Sequence, residues 1–242
     1  MVSPTEQWKS EELVRKYLGV RAAIPLAAEQ LDVMLRMVAA NGKPVGAIAD
    51  IGCGNGALAA TLLEVYPEAR ATLVDFSEPM LREARSRFEG RQGRRVVEGD
   101  LGSPEWVEGV RGDAPFDVVV SGYAIHHLPD ERKRALYGEL FELLAPGGMF
   151  VHTEHVASPT AWLQEVSDDL IIDSIYGHLR SQGGERSREE VAEEFVKRPD
   201  KETNLLAPVE AQCGWLREIG FEEVDCYFKL FELSVFGGRR PA

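Results

Sequence analysis

The sequence predicts an α/β fold: a doubly wound, mostly parallel sheet with helices on both faces. Three observations predict it. Short apolar runs alternate with helical segments from residue 47 to residue 153. The run FDVVV at 116–120 is apolar almost throughout, as a strand buried on both faces is. A Gly-x-Gly-x-Gly turn at 52–56 joins the first strand to the helix after it. Parallel strands joined this way require right-handed crossovers.

In chain order, residues 5–40 read as two helices, at 12–18 and 25–40, the second with Leu26, Leu31, Met34, Leu35 and Val38 on one face. Asn41-Gly42-Lys43-Pro44 stops it. Strand 47–51 leads into helix 57–65, ended by Pro67. Strand 71–74 leads into helix 79–88, with Ser77 as its N-cap. Strands follow at 96–98 and 116–120. Asp130 is the expected cap of helix 131–144, which Pro146-Gly147-Gly148 should end before strand 149–153. Residues 156–207 then lack strand signals and carry helical stretches at 160–179 and 188–196, separated by Gln182-Gly183-Gly184 and followed by Pro199-Asp200. Their large apolar residues are too few for a separate core, so the segment reads as a helical cap insert on the carboxyl edge of the sheet. Helix 209–219, stopped by Gly220, precedes strands 223–229 and 232–237, an antiparallel edge pair. The expected organisation is one domain over 1–242, with 1–44 as N-terminal cover helices and 156–207 as the insert.

Lys plus Arg number 27 and Asp plus Glu 40, a formal charge of −13, which disfavours a nucleic-acid partner. The densest basic cluster, RQGRR at 91–95, is short and loop-like. No apolar run has the length of about 18 residues needed to span a bilayer, and residues 1–13 lack the apolar segment of a signal peptide. Cys53, Cys213 and Cys226 have no metal-type spacing and fit a reducing, cytoplasmic location. The expected partner is a small molecule, with the oligomeric state open.

The most informative stretch is ADIGCGNG at 49–56. Glycines let the backbone turn sharply and let a ligand approach main-chain atoms, and the following helix offers unpaired N–H groups. The spacing differs from the Gly-x-Gly-x-x-Gly of nicotinamide enzymes, and Asp50 stands two positions before the first glycine. A carboxylate there suits a ligand with an ammonium group better than a pyrophosphate. Asp75 ends the second strand, where it can accept from both hydroxyls of a ribose. Asp100, after the third strand, can accept from the exocyclic amine of a purine. Each aspartate alone also suits a turn; together they put acidic residues at three successive strand ends around one glycine loop.

The motifs DIGCGNG (50–56), LVDFS (73–77) with Pro79-Met80, EGDL (98–101), FDVVVSGYAIHHLPD (116–130) and LLAPGGMFV (143–151) resemble, in order, those of class I S-adenosylmethionine-dependent methyltransferases. The resemblance covers about residues 45–155. It implies a Rossmann-like sheet of seven strands with the last antiparallel, and S-adenosyl-L-methionine as cofactor. It implies that Asp50, Gly52, Cys53, Gly54, Asn55 and Gly56 hold the aminocarboxypropyl end and that Asp75 binds the ribose. Phe76 and Met80 would lie beside the adenosine, Asp100 and Leu101 would meet the adenine, and Ser121 would face the cofactor. A second resemblance lies in the tail: Arg198, residues 206–220 and VDCYFKLF at 224–231 are similar to the ending of carboxy-S-adenosylmethionine synthases, which use an arginine on the extra carboxylate.

The resemblance does not name the acceptor. His126 and His127 follow the fourth strand, and His152, Glu154 and His155 lie at the end of the fifth. A histidine there suits a general base, and equally a structural turn; the catalytic candidates are His126, His127, Glu154 and His155. No metal site is expected, because His155 should point away from the strand face shared by His152 and Glu154. In the insert, Trp162, Tyr176, His178 and Arg180, with Arg186 and Arg198, are candidate lid residues. Arginines over the site would favour a carboxylate-bearing acceptor or cofactor; the other reading is solvated ion pairs. The expected activity is methyl transfer to a small molecule. The alternatives are carboxy-S-adenosylmethionine synthesis and a non-catalytic S-adenosylmethionine-binding module.

Overall fold

The computed structural model describes residues 8–198, 201 and 203–242. Helix α1 (Glu11–Val20) and α2 (Ala27–Ala40) precede the sheet. The alternation then gives β1 (Ala47–Ile51), α3 (Ala57–Val65), β2 (Arg70–Asp75), α4 (Glu78–Arg87), β3 (Arg94–Glu98), β4 (Phe116–Gly122), α5 (Asp130–Leu143) and β5 (Leu144–His155). Helices α6 (Ala161–Ser181) and α7 (Arg188–Lys197) follow, then α8 (Val209–Ile219), β6 (Glu222–Leu230) and β7 (Leu233–Arg239). Among the described residues the strands form one seven-stranded sheet in the order β3-β2-β1-β4-β5-β7-β6. Strands β1 to β5 are parallel, and β7 enters antiparallel between β5 and β6.

Each face of the sheet has its own apolar layer. Met34 and Val38 of α2, Leu58 and Leu62 of α3 and Leu81 of α4 pack on one face. Leu136, Tyr137 and Leu140 of α5 and Val209, Cys213 and Leu216 of α8 pack on the other. The strand order reverses between β1 and β4, which opens a crevice at the carboxyl ends, the usual ligand position in such sheets.

The edge strand β3 begins at Arg94, two residues before the expected start, and absorbs part of the basic cluster. Arg94 donates to the carbonyls of Pro67 and Ala69, and Arg95 pairs with Asp113. Charged side chains on an edge strand also discourage pairing with another chain.

Two expectations about α5 are corrected. Asp130 is not its N-cap: Pro129 holds that position without a side-chain bond, and the Asp130 carboxylate accepts from Lys133 Nζ at 2.7 Å. Pro146-Gly147-Gly148 does not form a turn between elements, because the helix ends at Leu143 and β5 starts at Leu144. The three residues are absorbed as an irregularity where the β4–β5 register shifts, with Gly147 at φ 72°. Ser77 does cap α4, accepting from the Met80 N–H. Between β5 and α8, Ile172, Val191 and Phe195 make a small cluster of their own, and α6 packs against the turn Arg21–Ala23. The break at Pro199-Asp200 and residues 5–7 of the first helical stretch lie outside the described residues.

Lys133 is 1% exposed although it sits on a helix of charged residues. Its ammonium bonds Asp130 and the Leu205 carbonyl, tying α5 to the segment that runs under the crevice. Lys133→Ala should lower stability by about 2–4 kcal/mol, since it leaves a cavity and takes the ammonium from the Leu205 carbonyl. Urea unfolding of the two proteins measures this.

Candidate functional site

Two adjoining cavities occupy the crevice, of about 330 and 500 Å³. The smaller lies over the glycine loop. Asp50, Gly52, Cys53, Gly54, Asp75, Phe76, Met80, Asp100 and Leu101 all line it. The loop takes its shape from positive φ at Gly52, Gly54 and Gly56 and from the Cys53 N–H bonded to the Val74 carbonyl at 2.9 Å. Gly54 faces the cavity and donates its N–H to Asp75 Oδ2 at 2.8 Å. Asp75 Oδ1 accepts from the Ser77 N–H at 2.9 Å, so this carboxylate shapes the loop as well as the cavity wall.

Three expected residues are not in that wall. Gly56 packs behind it: a Cβ there would lie 2.8 Å from Leu73 and Phe88. Ser121 is buried and donates to the Ile51 carbonyl at 2.6 Å. Asn55 accepts from Arg21 Nη1 at 2.7 Å, and it is Arg21 that lines the cavity.

Asp50 is buried; its Oδ2 accepts from the Ala59 N–H at 3.0 Å, and its Oδ1 has no partner. Burial pushes its carboxyl up to about 7, against the Ala59 bond and the Arg21 charge. Burial likewise raises the Asp75 carboxyl, and lifts the Cys53 thiol well above its usual range.

The larger cavity brings together three of the four catalytic candidates, His126, His127 and His155. The fourth, Glu154, lies behind them, 1% exposed. Its Oε1 accepts from His126 Nδ1 at 2.6 Å and the His155 N–H at 2.8 Å, and its Oε2 from the His126 N–H at 3.0 Å. His152 Nε2 is 2.9 Å from Oε2 but poorly directed for a hydrogen bond. Burial alone would raise the Glu154 carboxyl; the histidine charges and hydrogen bonds outweigh it and hold the group well below its usual range. His155 Nε2 bonds Glu232 Oε2 at 2.8 Å. His127 Nδ1 makes a long 3.4 Å contact with the Thr203 carbonyl, and burial with the adjacent His126 pushes it down to about 3. It is therefore uncharged at neutral pH. Among the described residues no three His, Cys, Asp or Glu side chains are arranged to hold a metal ion.

Trp8, Tyr17, Arg21, Tyr123 and His127 line both cavities and form the partition between them. Tyr123 has φ 53° and donates its hydroxyl to Gln30 Oε1 at 2.5 Å. The sequence reading missed Trp8, Tyr17, Arg21, Tyr123 and Glu232. Only Tyr123 carried a signal, its position just after β4. Of the insert candidates, Arg186 and Arg198 line the larger cavity. Arg186 pairs with Glu194, and the Arg198 guanidinium lies 3.9 Å over the Phe195 ring centroid. Trp162 is 69% exposed, so it forms neither core nor cavity wall. His178 and Arg180 bond Gln182 and Gly184 at the end of α6, and Tyr176 packs on the small cluster between α6 and α7.

A methyltransferase-domain family matches residues 48–148. Carboxy-S-adenosyl-L-methionine synthase of Wolinella succinogenes is 29% identical over 224 residues, 88% of this chain and 85% of that protein. Demethylmenaquinone methyltransferase of Leptospira interrogans is 28% identical over 180 residues, 74% of this chain and 68% of that protein. Among solved structures, the mitomycin 7-O-methyltransferase superposes with a TM-score of 0.60 at 17% identity, covering 99% of this chain and 61% of that one. Human N-acetylserotonin methyltransferase in complex with S-adenosylmethionine gives 0.54 at 15% identity, covering 97% and 58%.

The domain match, the relatives and the fold together support a class I S-adenosylmethionine-dependent methyltransferase. The cofactor of this methyltransferase is S-adenosyl-L-methionine, and the residues of the smaller cavity fit it. The unpartnered Asp50 Oδ1 is a buried acceptor suited to an ammonium group. Gly54 leaves the cradle open: a Cβ at its φ of 52° would be strained and would point toward Met80 Sδ at 3.7 Å.

The raised Asp50 carboxyl has a consequence for the ligand-free protein. The native state retains a proton that the unfolded chain, with its ordinary carboxyl near 3.8, has already lost. Stability therefore falls as pH rises from about 4 to about 7. Asp50→Asn should remove the Asp50 share of that slope, leaving the share of Asp75, whose carboxyl burial also raises, and should stabilise the ligand-free protein at pH 8 by up to about 4 kcal/mol. Urea midpoints at pH 4, 6 and 8 for both proteins check this.

Proposed function

We propose that this methyltransferase methylates a hydroxyl group of a small molecule bound in the larger cavity, with His126 as general base and Glu154 as the group that orients it. The observation that carries the reading is the 2.6 Å bond between the buried Glu154 carboxylate and His126 Nδ1 at the wall of a cavity that adjoins the cofactor cavity. S-adenosylmethionine supplies an activated methyl group, so the chain has to orient the acceptor, exclude water and take up a proton. Glu154 keeps the ring proton on Nδ1 and leaves Nε2 to accept the acceptor's proton. The neutral His127, shared by both cavities, adds no positive charge beside a sulfonium. Asp75 would bind the ribose, Phe76 and Met80 would flank the adenosine, and Asp100 and Leu101 would meet the adenine. The helices of 1–44 and the insert 156–207 would close over the acceptor within the single domain 1–242. The net charge of −13 and three free cysteines support a cytoplasmic enzyme without a nucleic-acid partner.

A second reading, synthesis of a carboxylated cofactor, is favoured by Arg198 in the wall of the larger cavity and by the name of the Wolinella relative. Mass spectrometry of the ligand that co-purifies with the protein separates the two. Methyl transfer predicts S-adenosylmethionine or S-adenosylhomocysteine, and the second reading predicts the carboxylated form.

Two outcomes test the first reading. Asp75→Ala should weaken cofactor binding by about 1.5–3 kcal/mol, as loss of hydrogen bonds to a charged group does; unchanged calorimetric titrations would leave Asp75 as a loop residue only. His126→Ala should lower turnover about 100-fold or more, the usual worth of a general base, while leaving cofactor binding unchanged. Unchanged turnover in His126→Ala rules out His126 as the base.

A further inference from the structure

The larger cavity has a second histidine–carboxylate pair that the proposed proton transfer does not use. Glu232 sits in the turn between β6 and β7, far in sequence from the methyltransferase motifs, yet it is 2% exposed. Its Oε2 lies 2.8 Å from His155 Nε2. Burial would raise its carboxyl, but the bonds from His155 and Ser158 hold it below the usual range, so it stays ionised.

An ionised carboxylate only accepts hydrogen bonds, so the ring nitrogen facing it carries the proton. Glu154 thereby fixes the proton on His126 Nδ1, and Glu232 fixes it on His155 Nε2. In the neutral rings the remaining nitrogens, His126 Nε2 and His155 Nδ1, present lone pairs. Neither has a partner among the described residues, and neither is sealed from solvent, while both residues line the cavity. The two rings stand edge to face with centroids 5.8 Å apart. The cavity thus offers two neighbouring acceptors that call for two neighbouring donors. A single hydroxyl leaves one of them unsatisfied, and a carbonyl or carboxylate oxygen at His155 sets lone pair against lone pair. Ile24, Ile171, Leu179 and Phe195 give the same cavity apolar lining, alongside the charged Arg186, Glu194 and Arg198.

We propose that the acceptor is an apolar ring bearing two hydroxyl groups on adjacent carbons, one hydroxyl facing His126 and the other held by His155 against Glu232. This rests on the larger cavity being the acceptor site. The O–H facing His126 gives its proton to Nε2 as its oxygen takes the methyl group, and the cofactor leaves as S-adenosylhomocysteine. The second hydroxyl keeps its proton and is not methylated, so the product is a monomethyl ether.

The test is calorimetric binding to protein saturated with S-adenosylhomocysteine, which needs no turnover. The probes are 2,3-dihydroxynaphthalene, 2-naphthol and 3-hydroxy-2-naphthaldehyde. The parent should bind the diol about tenfold or more tighter than 2-naphthol, because the site's second acceptor is then satisfied. His155→Phe should erase that preference. Glu232→Gln keeps the shape but lets an amide N–H donate to Nε2, which moves the ring proton to Nδ1. Its preference should shift from the diol to the hydroxy-aldehyde, a reversal that loss of packing alone does not produce. Equal binding of diol and 2-naphthol by the parent overturns the proposal, as does an undiminished diol preference in both variants. If the parent binds none of the three probes, the larger cavity is not the acceptor site for such rings and both readings fall.

Discussion

The site depends on one carboxylate that water does not reach. Glu154 lies one residue before the end of β5, inside the molecule, and a bare carboxylate there would cost several kcal/mol of lost hydration. The chain offsets this with donors from two separate segments: the His126 and His155 backbone N–H groups, and the His126 ring. Those donors fix the turn after β4 relative to the end of β5. They also decide which nitrogen of His126 faces the cavity. A structural requirement and a chemical one are met by the same bonds.

The partition between the cavities follows from a second set of contacts. The N-terminal segment is fastened to the cofactor side: Ser77 Oγ donates to the Trp8 carbonyl at 2.6 Å, and Arg21 reaches the Asn55 amide oxygen at 2.7 Å. Ser77 also caps α4 and gives its N–H to Asp75. The residues that shape the cofactor cavity therefore position Trp8, Tyr17 and Arg21 over both cavities. In this arrangement the larger cavity gains its roof from the framework that forms the smaller one.

Much of this was legible in the sequence because it is local. The strand–helix rhythm, the Ser77 cap, the Gly220 stop and the acidic strand ends each depend on a few adjacent residues. Strand ends were read short where polar residues continue the ladder, as Arg94 and Arg95 do in β3. Asp130 has the residue type of a cap, but its carboxylate bonds Lys133 instead. That lysine is buried only because the segment near Leu205 passes over it. Glu232 and Arg21 gave no sequence signal, since their roles arise from contacts 77 and 34 residues away along the chain. Ser121 and Gly56 matched the motif, yet they face a backbone carbonyl and two apolar side chains. A motif position records what the turn needs as well as what the ligand needs.

In the proposed mechanism Glu154 holds the His126 proton on Nδ1 and presents Nε2 as a base. Nitrogen-15 NMR of the histidine rings, assigned with His126→Gln, measures this directly in the folded enzyme at neutral pH. The predicted result is a protonated Nδ1 and an unprotonated Nε2 for His126, lost in favour of mixed tautomers in Glu154→Gln. A proton resident on Nε2 in the parent enzyme, or a His126 tautomer indifferent to residue 154, would contradict the account.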